Sequence, residues 1–103
     1  MYFHMTLEEV RAEITQVDEE IIQLIAQRQA LAQAIAVIKQ KDKIPVHDHE
    51  RKNDVLAYVM KFAQEKHLDP VPVKSIFETL ISMNEKQQRV TIEKSIPSKR
   101  QLR

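Results

Sequence analysis

Residues 7–41, LEEVRAEITQVDEEIIQLIAQRQALAQAIAVIKQK, decide the fold. Leu7, Val10, Ile14, Val17, Ile21 and Leu24, then Leu31, Ile35 and Ile38, recur at alternating spacings of three and four. That is the heptad pattern of an amphipathic helix, and no Pro interrupts it before Pro45. Thr6 or a neighbour supplies the N-cap, with Glu8 and Glu9 in the first turn, where they complement the helix dipole. The reading is one helix of roughly 35 residues, ~52 Å long at 1.5 Å per residue. A compact chain of about 100 residues has a radius of gyration of only ~13 Å. Such a helix projects beyond its own domain and needs a second chain to cover its stripe, so the pattern predicts an intertwined dimer.

Working outward, residues 41–46 carry charge and Pro45 and read as a connection. Asp48 is the expected N-cap of a second helix with Val55, Leu56, Val59, Met60, Phe62 and Ala63 on its apolar side. Asp69-Pro70 opens a third, because Pro is tolerated at the first helical position. It carries Val73, Ile76, Phe77, Leu80 and Ile81 and is expected to end near Gln88. The expected organisation is an extension over 1–5, one all-α domain over 6–90, and a basic, frayed tail over 91–103.

Composition removes whole classes of function. The 103 residues include no Cys and no Gly. Without Cys there is no disulfide framework, thiolate nucleophile or Cys-ligated zinc. Without Gly there is no phosphate-cradling loop of the Walker or dinucleotide-binding type. A net charge of +1 leaves no electrostatic footprint for nucleic acid. No run of roughly 18–20 apolar residues is evident, and Met1-Tyr2-Phe3-His4-Met5 lacks the parts of a signal peptide. The cytoplasm is the expected location. His47 and His49 form a His-x-His pair, but on a loop without a third ligand they define no metal site.

The informative residues are polar groups inside apolar stripes. Arg28 occupies a heptad seam position, and Lys39 follows eleven residues later. Eleven residues are close to three full turns, so both cations fall on nearly one face, about 16 Å apart along the axis. On the third helix, Phe77, Leu80, Asn84 and Gln88 continue one stripe in which the last two members are amides. On the second, Asp48, Arg51 and Lys52 precede the buried face by one turn. Each feature alone fits a solvated helix surface. Taken together they fit a cationic pocket within a helical bundle, suited to a small dianion.

These residues bring a family into view. Val10-Arg11-Ala12-Glu13-Ile14 with Asp18, Ile25-Ala26-Gln27-Arg28-Gln29-Ala30-Leu31-Ala32, Lys39, Pro45-Val46-His47-Asp48, and Glu50-Arg51 resemble the all-helical chorismate mutases over about residues 6–90. The resemblance implies a domain-swapped homodimer of three helices per chain. It implies an isomerase that rearranges chorismate to prephenate without metal or cofactor. It also implies roles: Arg28 for one substrate carboxylate, and Arg11 of the other chain for the second. Lys39 and Gln88 would flank the ether oxygen, Asp48 would hold the ring hydroxyl, and Arg51 and Asn84 would shape the carboxylate end. Helical phase agrees that Arg11 and Arg28 serve different pockets, since seventeen residues leave them roughly 100° apart.

Two positions depart from the commonest pattern. Asn84 replaces a frequent Ser and keeps a donor. Lys52 replaces a Glu that accepts from the ring hydroxyl; it is expected to turn toward Asp48 or solvent, the alternative being a substrate-binding ammonium that donates to that hydroxyl. An isochorismate-pyruvate lyase, a mutase acting on a chorismate-like substrate, and a non-catalytic regulatory dimer are the alternatives.

Overall fold

The computed structural model describes residues 4–95. Three helices make up the fold: α1 (Leu7–Lys41), α2 (His49–Glu65) and α3 (Pro70–Lys94). No strand occurs among the described residues. Each start is the one its sequence dictates. Thr6 and Glu9 form a reciprocal capping box on α1. Asp48 accepts from the Arg51 N–H, and Asp69 accepts from the Val71 N–H with Pro70 at the first helical position.

The helix ends are built without glycine. After α1, the Ile44 N–H bonds the Lys39 carbonyl at 2.7 Å and the Lys43 N–H bonds the Gln40 carbonyl at 3.3 Å. After α2, Leu68 bonds Ala63 at 2.9 Å and His67 bonds Gln64 at 3.0 Å. Both are Schellman closures, which need a left-handed residue just past the helix. Lys43 (φ 57°) and His67 (φ 60°) fill that role. A residue with a Cβ costs ~1–2 kcal/mol there, so both turns are held against local strain.

α3 differs from its sequence reading at the C-terminal end. It continues through Thr91 and Ile92 to Lys94 instead of stopping near Gln88. Those two residues are partly covered, the Ser95 N–H closes the last turn, and Ser95 Oγ donates to Gln40 Oε1 at 2.9 Å. The tertiary contact with the end of α1 extends the helix where amphipathic periodicity had faded. Residues 96–103 of the expected tail, and residues 1–3 of the extension, lie outside the described residues.

α3 packs against both other helices, whereas α1 and α2 bring no Cα pair within 8 Å. The space between α1 and α2 is therefore floored by α3 and bounded at one end by the 42–48 connection. The chain is long, 65 × 31 × 17 Å with a radius of gyration of 18.6 Å. Its buried apolar residues are Ala32 and Ala36 on α1, and Leu56, Val59 and Ala63 on α2. Two small residues one turn apart let α1 and α3 approach closely. The heptad stripe itself, including Ile14, Val17, Ile21, Leu24, Leu31, Ile35 and Ile38, is exposed. So are Phe62 and Ile76, which the sequence placed on apolar faces; Phe62 stacks on exposed Tyr58 at 6.1 Å. One 18-residue window of α1 reaches a mean hydropathy of 1.4, enough for a membrane span by length and composition, contrary to the sequence expectation.

Candidate active site

A cavity of about 340 Å³ opens between the helices, within the size range of small-molecule sites. α1 contributes Arg28 and Lys39, α2 contributes Arg51 and Lys52, and α3 contributes Asn84, Glu85 and Gln88. Val46 and Asp48 close the end formed by the connection, and Leu31, Ala32, Ile35, Val55 and Ile81 supply apolar wall. Seven of the eight expected site residues are thus brought together. Arg11 is not among them: it is exposed on the first turns of α1, away from the cavity of its own chain.

The geometry explains why polar residues interrupt the stripes. Asn84 and Gln88 are the two buried residues of α3, at 8% and 6% exposure, so the amides mark a buried face instead of a helix leaving the core. Arg28 donates through Nη1 to Asn84 Oδ1, while Asn84 Nδ2 donates to Gln29 Oε1. The amide is used at both ends and tethers the guanidinium through one of its donors. The Arg28 guanidinium also lies 6.0 Å from the Phe77 ring centroid, in cation–π range. Gln88 Oε1 is buried with no hydrogen-bond partner among the described residues.

Lys39 Nζ donates to the Val46 carbonyl at 2.6 Å, which aims it at the cavity and leaves two N–H groups free. Burial, and then the charge of Arg51, lower the pKa of Arg28 from its ordinary value. Burial is the larger cause, and the Arg51 guanidinium adds like-charge repulsion. A bound dianion relieves that repulsion.

Lys52 departs from expectation. It is partly buried and lines the cavity, and it forms no ion pair with Asp48 within 4.0 Å among the described residues. Asp48 instead spends Oδ1 on the Arg51 backbone N–H as the α2 cap. One turn of helix carries Lys52 to the cavity side, where packing decides its direction more strongly than an i,i+4 attraction worth only ~0.2–0.5 kcal/mol.

Three contributors escaped the sequence reading. Val46 acts through its carbonyl, which no side-chain pattern reveals. Gln29 braces Asn84 from across the α1–α3 interface. Glu85 lines the cavity and meets His47 Nδ1 at 3.2 and 3.1 Å, with Arg89 Nη2 at 3.8 Å. The acid-before-base spacing of Glu85 and Arg89 was the one available signal. His47, half of the His-x-His pair, turns to Glu85, with its ring 5.9 Å from that of His49.

Comparison with known proteins identifies the family. The family Chorismate mutase type II matches residues 10–89. A chorismate mutase of Methanocaldococcus jannaschii is 34% identical over 89 residues, covering 86% of this chain and 90% of that protein. A bifunctional chorismate mutase/prephenate dehydratase of Aquifex aeolicus is 33% identical over 70 residues, 68% of this chain but 19% of that longer protein. A conserved hypothetical protein from Pyrococcus furiosus superposes with a TM-score of 0.64 at 31% identity, over 82% of this chain and 96% of that one. With a family match across the three helices that build the cavity, and a full-length relative above 30% identity, the chain belongs to the type II chorismate mutase family.

Proposed function

We propose that the cavity between α1, α2 and α3 is where this chorismate mutase rearranges chorismate to prephenate, on the route to phenylalanine and tyrosine. The observation that carries the reading is a pocket with four cations (Arg28, Lys39, Arg51 and Lys52) and two buried amides. A [3,3] rearrangement requires no nucleophile and no proton transfer. It requires a dicarboxylate held in its compact chair-like conformer, with charge stabilised on the ether oxygen as the C–O bond breaks. Fixed donors in a cavity partly shielded from water do both.

In this reading Arg28, oriented by Asn84, takes one carboxylate in a bidentate fork. Lys39 and Gln88 donate to the ether oxygen, Lys39 as a compact point charge and Gln88 through its amide N–H. Arg51 stands at the carboxylate end, and Asp48 and Lys52 face the ring hydroxyl.

The second carboxylate is assigned to Arg11 of a second copy of the chain, in a domain-swapped homodimer. The exposed heptad stripe of α1 supports this, because only 11% of its most apolar window is covered within one chain. Its heptad residues form a stripe that Arg28 interrupts, as in a helix–helix seam. The cytoplasm is the proposed location.

The direct test is to incubate purified protein separately with chorismate and isochorismate and identify the products. Prephenate from chorismate is the expected result; pyruvate release from isochorismate, without prephenate formation, would establish the lyase instead. A second test concerns Lys52. Because it lines the cavity, Lys52→Ala and Lys52→Glu should each lower kcat/KM by more than about tenfold, equivalent to ~1.4 kcal/mol of transition-state stabilisation. Activity unchanged in both would mean that the ammonium leaves the cavity when substrate binds.

A further inference from the structure

Glu85 is an acid in the wall of an anion site, and its placement calls for an explanation. It shares the cavity lining with Arg28, Lys39, Arg51 and Lys52. Its side chain is only 18% exposed, so its charge is poorly compensated by water. Yet among the described residues none of those four cations lies within 4.0 Å of its carboxylate. Both oxygens turn instead to His47 on the connection, at 3.2 and 3.1 Å, and Oε1 also meets Arg89 Nη2 one helical turn along α3, at 3.8 Å.

We propose that His47, aided by Arg89, is a positioning residue that holds the Glu85 carboxylate off the cavity cations and so sets the affinity for the dianionic substrate. The inference rests on the cavity being the active site. A carboxylate on a flexible side chain beside that many cations is a built-in mimic of the substrate's own carboxylates. Left unrestrained, it gains more from a partly buried guanidinium or ammonium than from water, because such pairs are strong where solvent is scarce. It would then occupy a cation that the substrate needs, and would repel the dianion from nearby positions. His47 removes both penalties by taking the acid outward. Arg89 alone cannot do so well: its side chain is 58% exposed and its contact is long, in the range of surface pairs worth little.

The signature is competition, which raises KM while leaving kcat in place, because bound substrate has already displaced the carboxylate. In steady-state kinetics with chorismate, His47→Ala should raise KM about tenfold, ~1.4 kcal/mol of binding, with kcat within about twofold of the parent. Glu85→Gln alone should show a KM at or below the parent's. The double variant His47→Ala/Glu85→Gln should return KM to within about twofold of the parent, since the competitor is gone.

A double variant as impaired as His47→Ala would overturn the proposal and show that His47 merely anchors the connection. An unchanged KM in His47→Ala, or a fall in kcat alone, would overturn it as well. Glu85→Gln supplies an independent readout should His47→Ala lose helical circular dichroism: a raised KM in that variant contradicts a competing acid. Lys39→Ala separates the two levels of the argument. If Lys39→Ala is inactive and His47→Ala is normal, only the clasp fails. If Lys39→Ala is fully active and folded, the cavity reading fails and takes this proposal with it.

Discussion

Lys39→Ala is expected to lower kcat/KM by at least ~10²–10³, the scale for losing one donor aimed at charge that develops only in the transition state. Lys39 is on the same face of α1 as Arg28, and its ammonium is tethered by the Val46 carbonyl at 2.6 Å. That tether fixes the direction of the charge and leaves two N–H groups for the ligand. The cavity pre-organises the donor before substrate arrives, so little reorganisation is needed as the ether bond lengthens. The fold should survive the substitution. Lys39 makes no ion pair among the described residues, and the hydrogen bond lost is worth ~1 kcal/mol. Its removal also takes one cation from a cavity that keeps Arg28, Arg51 and Lys52. Steady-state kinetics with a thermal melt check both halves; near-full activity in a folded variant would refute the assignment of the cavity.

The second large effect is expected in mixtures. Arg11→Ala and Arg28→Ala should each abolish most activity as homodimers, because a dicarboxylate substrate loses one of its two bidentate anchors. In a heterodimer of the two variants, one pocket combines intact Arg28 of one chain with intact Arg11 of the other. The second pocket has neither. Mixing the inactive proteins under conditions that exchange chains should therefore restore activity, up to about one functional pocket per heterodimer. The argument starts from position alone: Arg11 is exposed and remote from the cavity of its own chain, on a helix whose heptad stripe lies uncovered. Labelled chains report the exchange. No rescue after proven exchange would place both arginines in one chain's function and remove the shared site.

Much of this was legible in the primary structure because local rules sufficed. Helix starts depend on a cap within a few residues, and Thr6, Asp48 and Asp69 each define theirs. Arg28 and Lys39 could be placed on one face because helical geometry is fixed once the helix is known. Asn84 and Gln88 were legible as a break in an apolar stripe. Where the outcome depended on a neighbour distant in sequence, the reading stopped short. α3 runs on to Lys94 because its last turn finds a partner in Gln40. Lys52 faces the cavity because of how α2 sits on α3, against the weak local pull of Asp48.

By itself, then, the order of residues determined three helices, their caps, a heptad stripe along the first helix, and the cations and amides that interrupt the apolar stripes. These follow from period, cap chemistry and the absence of glycine and cysteine, all of them short-range properties. Only the tertiary structure decided that α1 and α2 stay apart with α3 beneath both, which creates the cavity. It alone decided that Ala32 and Ala36, not the heptad stripe, are the buried apolar residues of α1. It alone tied Lys39 to a carbonyl and Glu85 to His47. The physical reason is that a carbonyl's direction or a rotamer's partner is set by packing between elements, and that information is spread over residues tens of positions apart.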